Sequence, residues 1–129
     1  MGNILGQAVC FGKVDGVMVA GEGIETTLSL LEVLPDMPMA AATSSAHLAA
    51  ILFPPTLRRL YVARDKDAAG DAAFGILSDR AQAAGIELLS LLPALGDFND
   101  DLRQAGASLL GQRAVIQLHE QDRARHSLI

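Results

Sequence analysis

Three acidic side chains follow apolar segments of the sequence, at positions where buried strands would end. Glu22 comes just after the apolar run 17–20, and Asp65 and Asp67 follow the apolar run 60–63. In an extended segment residues i and i+2 point to the same side, so Asp65 and Asp67 are expected to direct two carboxylates to one point. If the strand before Glu22 is adjacent, its carboxylate joins them. Three carboxylates within reach of one another repel unless a cation neutralises them.

Magnesium fits this arrangement, because Mg²⁺ takes hard oxygen ligands and keeps several waters that substrate phosphates can replace. The sequence therefore predicts a magnesium site at Glu22, Asp65 and Asp67, with Mn²⁺ as an alternative. The matching reaction class is phosphoryl or nucleotidyl transfer. Asp67 alone could instead be a helix N-cap, worth about 1 kcal/mol, but this interpretation leaves Asp65 unexplained.

Composition narrows the class of protein. The chain has 129 residues, half of them hydrophobic, and a formal net charge of -5. This size fits one domain, and the charge argues against a sequence-independent nucleic-acid binder with a basic stripe. One cysteine excludes an internal disulfide and favours a reducing cytoplasm. No apolar run reaches the roughly 20 residues that span a bilayer, so we expect a soluble, cytoplasmic protein without membrane contact.

Strands and helices are predicted to alternate along the chain. This pattern indicates an α/β fold with roughly four parallel strands flanked by helices. Residues 1–16 are expected to form an N-terminal arm or hairpin, with Asp15-Gly16 as the turn. The predicted strands are 17–20, 39–42, 60–63 and 86–92, and the predicted helices are 24–34, 46–53, 68–84, 101–105 and 108–120.

Other polar residues lie where the same strand ends would be. Arg64 and Lys66 flank the aspartates, so we predict that they contact nucleic-acid phosphates, although they could simply balance the acidic charge. Asp97, Asn99 and Asp100 follow the fourth predicted strand. Their residue types suit a functional loop and the cap of the next helix equally well.

Three segments resemble motifs of the toprim family, the domain shared by topoisomerases, bacterial-type primases, a class of nucleases and certain repair proteins. Segment 21–29 (GEGIETTLS) is similar to its first motif, and segment 65–73 (DKDAAGDAA) to its Asp-x-Asp motif. Segment 96–100 (GDFND) resembles a later element of toprim domains in phage and plasmid primase-helicase proteins. The order of the three segments matches the family, and together they span residues 17–106.

The resemblance implies a Rossmann-like toprim fold and a role as the catalytic core of a primase-like DNA replication protein, a nucleotidyltransferase. It implies that Glu22 is a general acid/base or metal ligand, that Asp65 and Asp67 bind magnesium, and that Asp97 assists as a ligand. The expected partners are DNA or RNA and nucleoside triphosphates. A toprim nuclease, or a binding module without chemistry, remains open as an alternative.

The expected domain organisation is an arm at 1–16, the toprim domain at 17–106 and a C-terminal helix and tail at 107–129. Full primases carry an upstream zinc-binding module and a basic template-binding subdomain, and this sequence resembles neither. We therefore expect either one domain of a larger protein, with a helicase or zinc-binding domain as its partner, or a truncated stand-alone copy. Activity is expected to require those further domains.

Overall fold

The computed structural model describes residues 4–5, 8–12, 16–64, 68–95 and 97–123. Asp65, Lys66 and Asp67 lie outside the described residues, as do Asp15 of the predicted hairpin turn and Gly96. The strands are β1 (Ile4–Leu5), β2 (Ala8–Phe11), β3 (Val17–Glu22), β4 (Met39–Ala42), β5 (Arg59–Ala63) and β6 (Glu87–Leu91). The helices are α1 (Ile24–Val33), α2 (Ser45–Ala49), α3 (Ala68–Ala84), α4 (Phe98–Ala105), α5 (Ala107–Gln117) and α6 (Glu120–Arg123).

The six strands form one sheet in the order β1-β2-β4-β3-β5-β6. Strands β4, β3, β5 and β6 are parallel, which confirms the predicted four-stranded parallel sheet. Strand β2 pairs antiparallel with β4 and with β1. Because β2 and β3 are not neighbours, the predicted Asp15-Gly16 turn does not connect two paired strands. After β3 the chain moves to β4 on one side and then to β5 and β6 on the other, so the direction reverses between β3 and β5.

Helices cover both faces of the sheet, and each face has its own apolar core. Alternation along β3 places Met18 and Ala20 in the cluster beneath α2 and α3, and Val17 and Val19 in the cluster beneath α1, α4 and α5. Strands that are buried on both faces read as continuous apolar runs. This explains why β3, β4 and β5 could be predicted from their apolar runs.

Helix α1 does not bury the first of its apolar side chains. Ile24 and Leu28 lie at helical spacing in the sequence but are 48% and 44% exposed. The buried side instead includes Thr27 and Ser29, together with Leu30 and other residues. Thr27 Oγ1 donates to the carbonyl of Gly23 at 3.0 Å and Ser29 Oγ to that of Glu25 at 2.8 Å. The helix's own carbonyls satisfy these hydroxyls, so their burial leaves no unpaired donor.

Helix α2 ends at Ala49 rather than at residue 53. Phe53 precedes Pro54, which disfavours helical backbone at Phe53. Arg80 of α3 then binds the end of the helix: its guanidinium donates to the carbonyls of Ala49 at 2.6 Å and Ile51 at 2.7 Å. The same guanidinium stacks 4.5 Å from the ring centroid of Phe53.

A side chain of α5 pairs with the main chain at the end of β6. Just beyond the strand, the main-chain N–H of Leu92 donates to Gln117 Oε1 at 2.7 Å. Gln117 Nε2 donates in return to the carbonyl of Leu92 at 3.0 Å. The amide of α5 thus makes the pair of hydrogen bonds that a neighbouring strand would make.

A buried polar network fixes the C-terminal segment to the central strand β5. Tyr61 is fully buried, and its hydroxyl donates to Asp122 Oδ2 and accepts from the main-chain N–H of His119 at 2.7 Å. Arg59 Nη1 donates to both carboxylate oxygens of Asp122 at 3.0 and 2.9 Å. Burial raises the pKa of Tyr61 above its ordinary value of 10.0, and the hydrogen bond to Asp122 raises it further.

None of the helices in the described ranges is both long and apolar enough to cross a membrane.

Asp122→Ala is expected to lower the free energy of unfolding by about 3 kcal/mol, because it leaves Arg59 and Tyr61 without their buried partner. Glu87→Ala is the matched control: it removes the other carboxylate that binds Arg59, but Glu87 is half-exposed and the expected cost is below about 1 kcal/mol. Urea unfolding of both variants measures the difference. Equal losses of unfolding free energy in the two variants would contradict the assignment of Asp122 as the buried partner of Arg59 and Tyr61.

Stability is expected to fall at alkaline pH through Tyr61. The folded chain holds the phenolic proton more tightly than the unfolded chain does. This contribution is therefore fully present below the unfolded pKa, about 10, and is lost as pH rises through the higher folded pKa. Tyr61 is the only tyrosine and the chain has no tryptophan, so near-ultraviolet absorbance reports its ionisation alone. Tyrosinate should appear together with unfolding; ionisation of the native protein near pH 10 would contradict the network.

Candidate functional site

The candidate site lies at the carboxyl ends of the two central strands, β3 and β5. Glu22 is the last residue of β3, and Arg64 directly follows β5; the preceding residues, Gly21 and Ala63, are partners in the sheet. This is the place where strand order reverses, and α/β sheets bind ligands in the crevice outside such a switch point. The chain continues from Arg64 through residues 65–67 to α3. The predicted ligands Asp65 and Asp67 therefore follow β5 in sequence, while their side chains lie outside the described residues.

Two glycines allow the backbone around Glu22 to take its position. A Cβ on Gly21 would lie 3.1 Å from Thr27 Oγ1 and 3.3 Å from the Cβ of Ala63, tighter than ordinary contacts. Gly23 has φ +85°, in the region that favours glycine, and its N–H donates to the carbonyl of Ala42 at 2.6 Å. Glu22 therefore sits between a close packing contact on one side and a sharp turn into α1 on the other.

The carboxylate of Glu22 is held by a residue from the neighbouring connection. Ser45 Oγ donates to Glu22 Oε2 at 2.8 Å. Ser45 is the first residue of α2, three positions after Ala42, which pairs with Glu22 in the sheet. Among the described residues Oε1 of Glu22 has no hydrogen-bond partner, so one oxygen is available for a ligand. No local pattern in the sequence indicates this contact, because it depends on the pairing of β3 with β4.

Arg64 connects the end of β5 to the helix that follows the predicted acidic pair. Its guanidinium forms an ion pair with Asp71 and stacks 4.2 Å from the ring centroid of Phe74, both on α3. It also donates to Ser90 Oγ of β6 at 3.5 Å. Arg64 precedes residues 65–67 in the sequence, and its partners Asp71 and Phe74 follow them. The predicted contacts of Arg64 and Lys66 with nucleic acid stay predictions, and Lys66 lies outside the described residues.

Acidic side chains at the start of α4 accept hydrogen bonds from main-chain N–H groups. Asp97 is the N-cap of α4 and accepts from the N–H of Asp100 at 2.8 Å, so the helix begins at Phe98 rather than at residue 101. Asp101 is buried, and its two oxygens accept from the N–H groups of Ala94 at 2.7 Å and Leu95 at 2.8 Å. The cap interpretation of Asp97 is confirmed, and its role as a metal ligand stays a prediction. The role of Asp101 was missed, because a first-turn acid normally reads as solvated charge.

A shallow depression lies beside the site, between α1 and α4. Its volume is about 480 Å³, and its lining residues are Glu25, Leu28, Ser29, Glu32, Asn99 and Leu102. Ser29 Oγ lies 3.5 Å from Asn99 Oδ1. Asn99 of the predicted polar loop therefore contacts α1, the helix that follows Glu22.

Of the three predicted magnesium ligands, Glu22 is the one among the described residues. The described residues contain no group of three His, Cys, Asp or Glu side chains that could hold a metal ion; Asp65 and Asp67 are not among them. Glu22 fits one position of the predicted triad, because it presents a partly exposed carboxylate oxygen at the switch point. Oxygen is the donor type that Mg²⁺ requires.

Comparison with known proteins supports the topology. A family model described as "Toprim domain" matches residues 17–108. Two solved structures share the fold. One is a chain in a structure of bacteriophage T7 lagging-strand DNA polymerase interacting with primase domains of two gp4 subunits bound to an RNA/DNA hybrid and dTTP, at TM-score 0.59 and 18% identity. The other is the Aquifex aeolicus primase, with its zinc-binding and RNA polymerase domains, at TM-score 0.56 and 16% identity.

Coverage is uneven in these comparisons. The alignments include 82% and 86% of this chain, but only 59% of the T7 chain and 31% of the Aquifex chain. The curated protein sequences contain no significant match. The family model covers most of this chain. Glu22 of the first motif lies at the end of a strand, as the motif predicts. The chain belongs to the toprim domain family.

Proposed function

We propose that this chain is the magnesium-dependent catalytic toprim domain of a primase-like replication protein, which joins nucleotides on a nucleic-acid template. The observation that carries the proposal is the position of Glu22 at the switch point between β3 and β5, directly across from the segment that leads into Asp65 and Asp67. Family membership and the likeness to primase structures support it.

In this proposal Asp65 and Asp67 hold Mg²⁺, with Mn²⁺ as a substitute, and Glu22 acts as a further ligand or as the general base. When bound, the metal neutralises charge on the phosphates and orients them for attack. Ser45 holds one oxygen of Glu22, so Oε1 is the atom that would bind the metal or accept the proton of the attacking hydroxyl. Asp97 is proposed only as an outer contributor, because one of its oxygens already caps α4.

The proposed substrates are nucleoside triphosphates and a DNA or RNA strand. The domain carries a formal net charge of -5, so template binding requires either the metal or a basic partner domain. Arg64 and Lys66 are the proposed local phosphate contacts. The chain spans about three-fifths and one-third of the two primase-related chains that it matches. We therefore propose a helicase or zinc-binding domain as its partner, in the cytoplasm of a host of phage or plasmid replication.

Metal binding is the first test of this proposal. Magnesium titration by calorimetry, with a nucleoside triphosphate present, should show binding to the wild type and its loss in Asp65→Asn/Asp67→Asn. Asp79→Asn is the control, because, like each of the two substitutions, it removes one negative charge, in this case from an exposed position on α3. Retained binding in the double variant would rule out the proposed ligands. Loss of binding in Asp79→Asn would show that overall charge, not the acidic pair, determines affinity.

Glu22→Gln is expected to lower the rate of primer extension by about 100-fold or more while leaving the fold intact, since loss of a general base costs that much. The assay uses a labelled oligonucleotide, template, nucleoside triphosphates and magnesium, with whichever partner domain supports activity. Lengthening of the label indicates polymerisation, and shortening indicates the nuclease alternative. Magnesium-independent DNA binding without either product would instead favour a non-catalytic binding module.

A further inference from the structure

The hydroxyl of Ser45 has a role that the capping of α2 does not account for. Ser44 is the N-cap of the helix, with extended backbone and a side chain that accepts from the N–H of His47 at 3.1 Å. Ser45, one residue later, directs its hydroxyl away from the helix backbone and donates to Glu22 Oε2 at 2.8 Å. The two adjacent serines thus divide two tasks between them: one begins the helix, and the other contacts the candidate catalytic acid.

The donor is fixed in place before any ligand binds. Helix α2 has only five residues, but Leu48 and Ala49 are buried in the core of that face of the sheet. Arg80 holds its C-terminal end through the carbonyls of Ala49 and Ile51. The acceptor is fixed as well, because Glu22 pairs with Ala42 in the sheet. The hydrogen bond therefore joins two supported positions and restrains the torsions of a long side chain.

We infer that Ser45 is a positioning residue, which holds Oε2 of Glu22 and leaves Oε1 directed to the ligand at the switch point. This inference rests on the proposed function for its consequence in catalysis, but the contact itself is independent of it. A free glutamate samples several rotamers, and ordering it at the moment of binding costs entropy. A fixed donor behind the carboxylate removes that cost and sets which oxygen faces the metal or the substrate.

The test compares three variants of two neighbouring residues. Ser45→Ala removes the bond to Glu22 and keeps the cap, Ser44→Ala removes the cap and keeps the bond, and Ser45→Thr keeps a hydroxyl at the positioning site. Primer extension should show kcat lowered by about 10-fold to 100-fold in Ser45→Ala, with a much smaller change in KM for the nucleoside triphosphate. Ser45→Thr should restore most of kcat, and Ser44→Ala should keep kcat while losing stability in urea unfolding.

A second readout separates failure of this inference from failure of the proposed function. The chain has five glutamates, so carboxyl ¹³C labelling gives a simple NMR spectrum in which Glu22→Gln identifies the Glu22 signal. That signal should shift in Ser45→Ala and stay in place in Ser44→Ala. If it does not shift, or if Ser44→Ala lowers kcat as much as Ser45→Ala, the inference is wrong. A wild type without metal binding or activity would refute the proposed function, while a selective shift would still establish the hold on Glu22.

Discussion

The site depends on close packing at one position, Gly21. Because it has no side chain, β3 lies against Ala63 of β5 at a distance that a Cβ would crowd, and Thr27 of α1 packs directly onto the strand. This contact orients α1 so that its hydroxyl-bearing side faces the sheet. It also sets the direction in which the chain leaves Glu22. The close approach of the two central strands beside Glu22 and the packing of Thr27 onto β3 both require a residue without a side chain at position 21.

The sequence predicts the parallel sheet well because β3, β4 and β5 are buried on both faces, and their apolar runs leave little ambiguity. It predicts the orientation of α1 poorly, because Ile24 and Leu28 have the helical spacing of a buried face while the packing constraint comes from Gly21, on another element. Long-range contacts of this kind have no local pattern. The early end of α2 is different, since Phe53 before Pro54 is a local signal that could have shortened the predicted helix.

In the candidate site, too, the features with a local sequence pattern could be predicted and those that depend on long-range contacts could not. The place of Glu22 at a strand end could be predicted from its neighbours, and the cap chemistry of Asp97 was one of two readings that the residue types allowed. The Ser45 contact could not be predicted, because it joins two connections 23 residues apart and depends on the pairing of β3 with β4. Asp101 resembles an ordinary acid of a first helical turn, and only the folded loop shows that it binds the N–H groups of residues 94 and 95.

The amide of Gln117 beside β6 has a consequence for how copies of this domain behave when crowded. An open strand edge is a template for pairing with another chain, and proteins avoid aggregation by covering or interrupting such edges. Here a side chain from α5 occupies the main-chain groups of Leu92, so a strand that paired along β6 would have to displace two hydrogen bonds to continue past Leu91. The amide of Gln117 therefore limits how far along this border another strand could extend the sheet.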